Sequence, residues 1–435
     1  MTESMDRARL APAPPQPKRP LRIALLGYRS APHSGGQGIY LASLSRALRN
    51  LGHRVEVLSG PPYPELDEGI GLIKIPSLDL YAAPNHVTAL RPSHFRSATN
   101  LFEYFSMLTG GFPEPYTFGR RLKAHFLRAG NPYDVVHDNQ TLAPGVLALQ
   151  NWGVPLVTTI HHPIQRDLEL ALGQQTTWQG RALVRRWHHF LRMQERVVPR
   201  LKHLVTVSKA SRGAIADAFR IPASRIAVVP NGVDGDRWAP LPDVSRAPHT
   251  LLTVASADQP LKGLPVLLDA VAKLRTQHPA LTLRVIGKLN PDGPTAARLT
   301  ALGLEHCVQF EHGLSEAALR ARYAEATVAV VPSLYEGFGF PAVEAMACGT
   351  PLVSTTGGAL GEVVGDAGLT VPPGDSTALA EAIDRLLRAP ELRQGLGARG
   401  RRRVRETFSW HGVGEAMAAL YETARRERFT EAPRP

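Results

Sequence analysis

The chain has 435 residues, of which 43% are hydrophobic and 20% charged, and a formal net charge of +12. It is too long for one ordinary core, so two domains of roughly 200 residues are expected. No run of about 18 uninterrupted apolar residues occurs, which excludes an ordinary membrane-spanning helix. Cys307 and Cys348 suggest neither a disulfide framework nor a thiolate metal site, and a reducing cytoplasm fits them.

In chain order, residues 1–20 read as a disordered tail, polar and proline-rich without the apolar centre of a signal peptide. Strands are then predicted at "LRIALLG", "RVEVLS", "DVVHD", "PLVTTIH" and "HLVTVS", with helices near 37–51, 141–151 and 180–201. The stretch from Ala82 to Arg128 breaks this rhythm and reads as an insertion on the cleft side. A cluster of glycine, proline and aspartate from Pro230 to His249 marks the domain break. The second half repeats the scheme with "TLLTVAS", "LTLRVIG", "VQFEHG", "ATVAVVPS" and "PLVSTT", and with helices beginning near Gly263, Pro294, Ser315 and Phe340. Strands alternating with helices imply an α/β fold of two doubly wound domains, whose ligands bind beyond the carboxyl ends of the strands.

Four stretches fall at such ends. "PHSGGQGIY" places Gly35, Gly36 and Gly38 where a first strand turns into a helix, so backbone and helix N-terminus can approach an anion. The spacing is not the dinucleotide fingerprint, and a merely tight turn is the competing reading. "VTTIHHPIQRD" ends a strand with His161 and His162; no carboxylate or cysteine set accompanies them, so no metal site is expected. "ADQPLKGLPVLLDA" sets Lys262 and Gly263 before a helix, where a lysine can meet a phosphate or remain solvated. "PSLYEGFGFPAVEAMACGTP" brackets a strand-to-helix turn with Glu336 and Glu344. With Pro341 at the first helical position, Glu344 is expected in the first turn, tilted back toward Glu336, either for a ligand or merely to favour the dipole.

The excess charge is nearly all arginine in an alanine-rich chain, so compositional bias competes with an anionic partner. Nucleic acid is not expected, because zinc-finger spacing is absent and aromatics are not interleaved with the basic residues. The serine-hydrolase pattern Gly-x-Ser-x-Gly is also absent.

Together "SGGQGIYLASLSRALRNLGHRVEVLS", "VTTIHH", "VTVSKASRGAI", "IAVVPNGVD", "LKGL", "VVPSLYEGFGFPAVEAMACGTPLV" and "FSW" resemble glycosyltransferase family 4 from Leu21 to about Tyr421. The resemblance implies a GT-B fold: an N-terminal acceptor-side domain at 21–230, a nucleotide-sugar-binding domain at 231–408, a terminal helix at 409–427 returning to the first domain, and a tail at 428–435. It implies a retaining transferase that moves sugar from a nucleotide-sugar donor to an unidentified acceptor without a cofactor or obligatory metal. Glu336 would then lie beside the donor sugar and Glu344 would hold the ribose hydroxyls. Gly337, Phe338 and Gly339 would offer backbone donors. Lys262, with Gly263 beside it, would bind the diphosphate, Gly35 and Gly36 would approach it from the other domain, and His161 would sit near the transferred sugar.

The sequence departs from the family at one point. An arginine usually precedes the lysine, but Ala255 to Asp258 supply no cation, leaving Lys209, Arg212 and Lys288 as substitutes. A non-transferring binding or scaffold protein is therefore a competing reading, and a nucleotide-sugar epimerase ranks last. A peripheral contact with an anionic membrane, at the inner face of a cytoplasmic membrane, is suggested by basic and apolar residues alternating from Arg181 to Leu204. Against it, the apolar stripe would pack on the first domain's sheet.

Overall fold

The computed structural model describes residues 19–32, 36–82, 85, 91–173 and 175–430. Residues 1–18 of the N-terminal tail, residues 431–435 of the C-terminal one and Gly35 lie outside the described residues. The first half runs β1 (Arg22–Gly27), α1 (Gly36–Asn50), β2 (Arg54–Ser59), β3 (Gly71–Lys74), α2 (Ala98–Leu108), α3 (Glu114–Ala129), β4 (Val135–Asn139), α4 (Pro144–Asn151), β5 (Leu156–Thr159), α5 (Gln165–Gly173), α6 (Trp178–Trp187), α7 (Leu191–Val197), β6 (His203–Thr206), α8 (Lys209–Phe219) and β7 (Ile226–Val228). The second runs β8 (Thr250–Val254), α9 (Leu264–Arg275), β9 (Thr282–Ile286), α10 (Pro294–Leu302), β10 (Val308–Glu311), α11 (Glu316–Glu325), β11 (Val328–Val331), α12 (Phe340–Ala347), β12 (Leu352–Thr355), α13 (Leu360–Val364), β13 (Leu369–Val371), α14 (Ser376–Arg388), α15 (Pro390–Thr407) and α16 (Trp410–Thr430).

The strands form two wholly parallel sheets, ordered β3-β2-β1-β4-β5-β6-β7 and β10-β9-β8-β11-β12-β13. Each is buried on both faces, which is why its strands read as continuous apolar runs. In β1, Ala24 and Leu26 face one core while Ile23 and Leu25 face another. In β11, Val328 and Val330 divide from Ala329 and Val331 in the same way. The strand order reverses between β1 and β4 and between β8 and β11, so a crevice opens at those carboxyl ends in each domain.

The chain crosses between the domains twice. Val233 N–H donates to the Phe408 carbonyl at 2.6 Å, and Gly232 lies so close to Trp410 that a Cβ would meet its ring at 2.6 Å. Helix α16 then packs along α1 and over β4 and β5. Its Met417, Tyr421 and Ala424 complete the core beneath Leu25 and Leu44, and the helix continues through Thr430, three residues past the expected 427.

The segment 180–201 is not one amphipathic helix. It breaks into α6 and α7 around a 3-10 turn at His188–Phe190, and a second such turn, Val198–Arg200, follows. Phe190, Leu191, Val197, Val198, Leu201 and Leu204 are buried, whereas Leu183 and Trp187 stay exposed. The apolar stripe is thus divided between core and surface. Among the described residues no helix is long and apolar enough to cross a membrane.

Candidate functional site

A cavity of about 550 Å³ opens where the two sheets' carboxyl ends face each other. It is lined by Gly36, His161, Lys262, Glu336, Gly337, Phe338 and Gly339, which converge from β1, β5, β8 and β11. Gly263 and Glu344 do not line it.

On the second domain's side, Lys262 ends a 3-10 turn after β8. Its Nζ donates to Glu336 Oε1 at 2.7 Å, and Ser333 Oγ donates to the same oxygen at 2.9 Å. Both charges are largely sheltered, at 30% and 13% side-chain exposure, so each depends on the other where water is scarce. Gly263 has φ +65°, and a Cβ there would lie 2.0 Å from the Pro332 carbonyl oxygen. Its task is close packing under the end of β11, which aims Lys262. Gly339 caps α12 with φ +96°, and the Phe338 side chain is buried among Phe340 and Phe408. Phe338 therefore offers the cavity its backbone at the N-terminus of α12, where free N–H groups favour an anion.

Glu344 departs from expectation. Helix α12 starts at Phe340, so Glu344 stands in the second turn. Its Oε2 accepts the Tyr323 hydroxyl at 3.1 Å, and burial pushes its carboxyl up to about 7. The first-turn reading failed because the helix begins at Phe340, one residue before the expected Pro341, and Gly339 caps it.

The first domain holds its histidine rigidly. His161 N–H donates to Gln140 Oε1 at 2.7 Å, and the ring's Nε2 meets Asn139 Oδ1 at 2.7 Å. Asn139 Nδ2 donates to the Gln37 carbonyl, which fixes the amide's orientation and makes Nε2 of His161 the protonated nitrogen. Tyr40 packs edge-on against the ring at 4.7 Å. Burial lowers the imidazole to about 3, so it is neutral at pH 7. Gln140 and Leu142 adopt φ of +58° and +55°, and Asp138 accepts the N–H groups of Thr141 and Leu142. Burial also pushes the Asp138 carboxyl up to about 6. Such strain persists where surrounding structure fixes it. Asn139 and Gln140 were missed in the sequence, although the polar run "HDNQT" ending a strand buried throughout was a signal.

The domains touch around the cavity. The Gly337 carbonyl accepts the hydroxyls of Ser208 at 2.8 Å and Ser211 at 3.1 Å. The Glu362 carboxylate accepts the N–H groups of Lys209 and Ala210, each at 3.1 Å, at the start of α8. The Arg166 guanidinium lies 3.9 Å from the Tyr335 ring centre.

Of the substitutes for the missing arginine, Lys209 and Arg212 line neither this cavity nor the adjoining one. Lys288 lines the adjoining space of about 540 Å³, which shares Gln259, Lys262 and Pro341 with the first. Arg166 is an additional cation at the cavity wall, supplied by the opposite domain and unnoticed in the sequence. Asp258 is occupied, capping α10 through Thr295 N–H. Among the described residues no group of three or more His, Cys, Asp or Glu side chains could hold a metal.

Residues 34–237 match the family described as Glycosyltransferase Family 4, and residues 248–389 match Glycosyl transferases group 1. The chain is 46% identical over 408 residues to an MMP alpha-(1->4)-mannosyltransferase of Mycolicibacterium hassiacum, covering 93% of this chain and 98% of that one. It is 30% identical to a glycogen synthase of Mycobacterium tuberculosis, over 95% and 97% of the two chains. Among solved structures, sucrose-phosphate synthase from Thermosynechococcus elongatus superposes with a TM-score of 0.67 at 26% identity, over 95% of this chain and 100% of that one.

Proposed function

Because the chain belongs to glycosyltransferase family 4, we propose that it moves a mannosyl group from a nucleotide-sugar to a saccharide hydroxyl, forming an α-(1→4) linkage with retention of configuration. The observation that carries the transfer chemistry is the meeting of Lys262, Glu336 and the N-terminus of α12 with His161 across one cavity. The choice of mannose rests on the 46% identical relative.

In this reading the donor's diphosphate displaces Glu336 from Lys262, and the freed carboxylate turns to the sugar hydroxyls. The anomeric carbon exchanges its bond to a diphosphate oxygen for one to the acceptor oxygen, whose proton leaves with the nucleoside diphosphate. Negative charge gathers on the departing diphosphate, where Lys262 and the α12 N–H groups are already aimed. A neutral His161 suits the vicinity of a sugar becoming electron-poor, since a second cation there would oppose the reaction. Glu344, held behind the cavity wall by Tyr323, would have to turn outward to meet the ribose, the Lys288 space would take the base, and domain contacts through Gly337 would exclude water.

The test is incubation of purified protein with GDP-mannose, UDP-glucose or ADP-glucose and short oligosaccharides, with EDTA present. Mannosyl product with an α-anomeric signal by NMR is the expected outcome. A glucosyl product from ADP-glucose would favour the second reading, α-glucan elongation, which the 30% identical glycogen synthase supports. Hydrolysis of no donor at all would return the scaffold reading.

A further inference from the structure

A second cavity, of about 540 Å³, lies at the outer edge of the first domain, between the end of β3, the start of α2 and one face of α3. It shares no lining residue with the donor cavity. Lys74, His94, Arg120, Arg121, His125 and Arg128 converge on it, and no carboxylate is among its lining residues. In α3, Arg121, His125 and Arg128 follow helical spacing, so three basic side chains line one face of the helix toward the cavity. Lys74, Arg120 and Arg128 form no ion pair among the described residues: Lys74 lies over the Tyr63 ring and Arg120 over the Tyr116 ring. Only Arg121 is paired, to Glu103 beneath it, and its Nη1 is buried without a hydrogen-bond partner. The first turn of α2, capped by Ser97 and free of acids, adds its dipole from the opposite wall.

We propose that this cavity is a binding site for a phosphate monoester, in particular a phosphorylated saccharide. Several guanidinium forks and an ammonium approaching from different elements match the terminal oxygens and double charge of a phosphate monoester better than a single carboxylate. The volume leaves room for a sugar beside the phosphate. The bound anion would give Lys74, Arg120 and Arg128 the charged partner that none of them has among the described residues, which is where its affinity would come from.

The experiment follows thermal stability of the full chain against mannose 6-phosphate, inorganic phosphate and mannose, at ionic strength held constant with KCl. Saturable rises in Tm with the two phosphates and none with mannose are expected. Arg120 and Arg128 are exposed, so the double variant Arg120→Ala/Arg128→Ala should fold and lose more than half of the rise. The charge-matched control Arg402→Ala/Arg405→Ala, and the donor-site variant Lys262→Ala, should keep it. A response that survives in Arg120→Ala/Arg128→Ala, or that Lys262→Ala abolishes, would overturn the proposal. Sedimentation with phosphatidic acid vesicles lost in that double variant, without a response to mannose 6-phosphate, would overturn the saccharide assignment in favour of a lipid headgroup.

Discussion

The two walls of the donor cavity are built on opposite plans. On the first domain's wall every polar group of His161 that the structure engages is engaged by its own domain, and the ring is neutral. On the second domain's wall Lys262 and Glu336 are charged partners of each other. The first wall is finished before any ligand arrives, whereas the second must exchange partners to receive one. Pre-arranged groups cost no reorganisation at the moment of reaction. A mutually satisfied ion pair keeps two sheltered charges stable, and in the proposed reaction a diphosphate and a sugar would replace each partner.

Breaking the exchangeable wall should have the largest effect. Lys262→Ala and Glu336→Gln are each expected to lower kcat at least about a hundredfold with unchanged circular dichroism, as loss of a group acting on developing charge does. Near-normal transfer by Glu336→Gln would remove that carboxylate from the sugar.

The finished wall can be broken through stability instead. His137 is fully buried between the Tyr421 hydroxyl and Thr159 Oγ1, and burial holds it at about 3. The unfolded imidazole takes a proton near pH 6.5 but the folded one does not until about 3, so this residue's contribution is present above 6.5 and is lost as pH falls. His137→Gln should cost about 1–3 kcal/mol at pH 7. The gap from the native protein should narrow by up to about 1.4 kcal/mol per pH unit below 6.5. Urea unfolding of both proteins between pH 7 and 5 measures it; a constant gap would mean that the imidazole is charged in the fold.

Asn139→Ala frees the His161 ring while leaving its backbone tie to Gln140. A loss of about tenfold in kcat, with donor KM little changed, is expected from misorientation alone. Equal effects of Asn139→Ala and Glu336→Gln would erase the distinction between the walls. The smallest change should come from Glu362→Ala, which removes an interdomain acceptor from the start of α8. Donor KM should rise no more than about threefold at constant kcat, since one half-buried charge at a helix terminus contributes on the order of 1 kcal/mol. A tenfold fall in kcat would show that closure orients the reacting groups.

Much of the scaffold was legible because parallel strands buried on both faces leave long apolar runs, as in "RIALLG" and "VAVV". The short β3 and β13 were not, since Gly71–Lys74 is only partly covered at an edge and Leu369–Val371 has three residues. No helix was read at α2, where the usual pattern is inverted: Glu103 and Ser106 turn inward to Arg121 and Arg186 while Phe102 and Phe105 face out. The site was legible where glycines and charges cluster in sequence, at Lys262 and Glu336–Gly339. It was illegible where residues are joined only by the fold: Asn139 with His161, Arg166 with Tyr335, and Glu344 with Tyr323. Gly263 shows the limit of motif reading, because its place beside Lys262 reflects the Pro332 carbonyl beneath it rather than the cavity.

The return of α16 has a consequence for the order of synthesis. His137 and its partner Tyr421 are 284 residues apart, so at about 5–20 residues per second the ribosome needs roughly 15–60 s between them. Throughout that interval the first domain's α1 face lacks Met417, Tyr421 and Ala424, and a buried imidazole lacks its hydroxyl. The domain made first is therefore the domain finished last. Nascent chains paused before residue 410 should expose that face to chaperones, since α16 alone supplies Met417, Tyr421 and Ala424 to it.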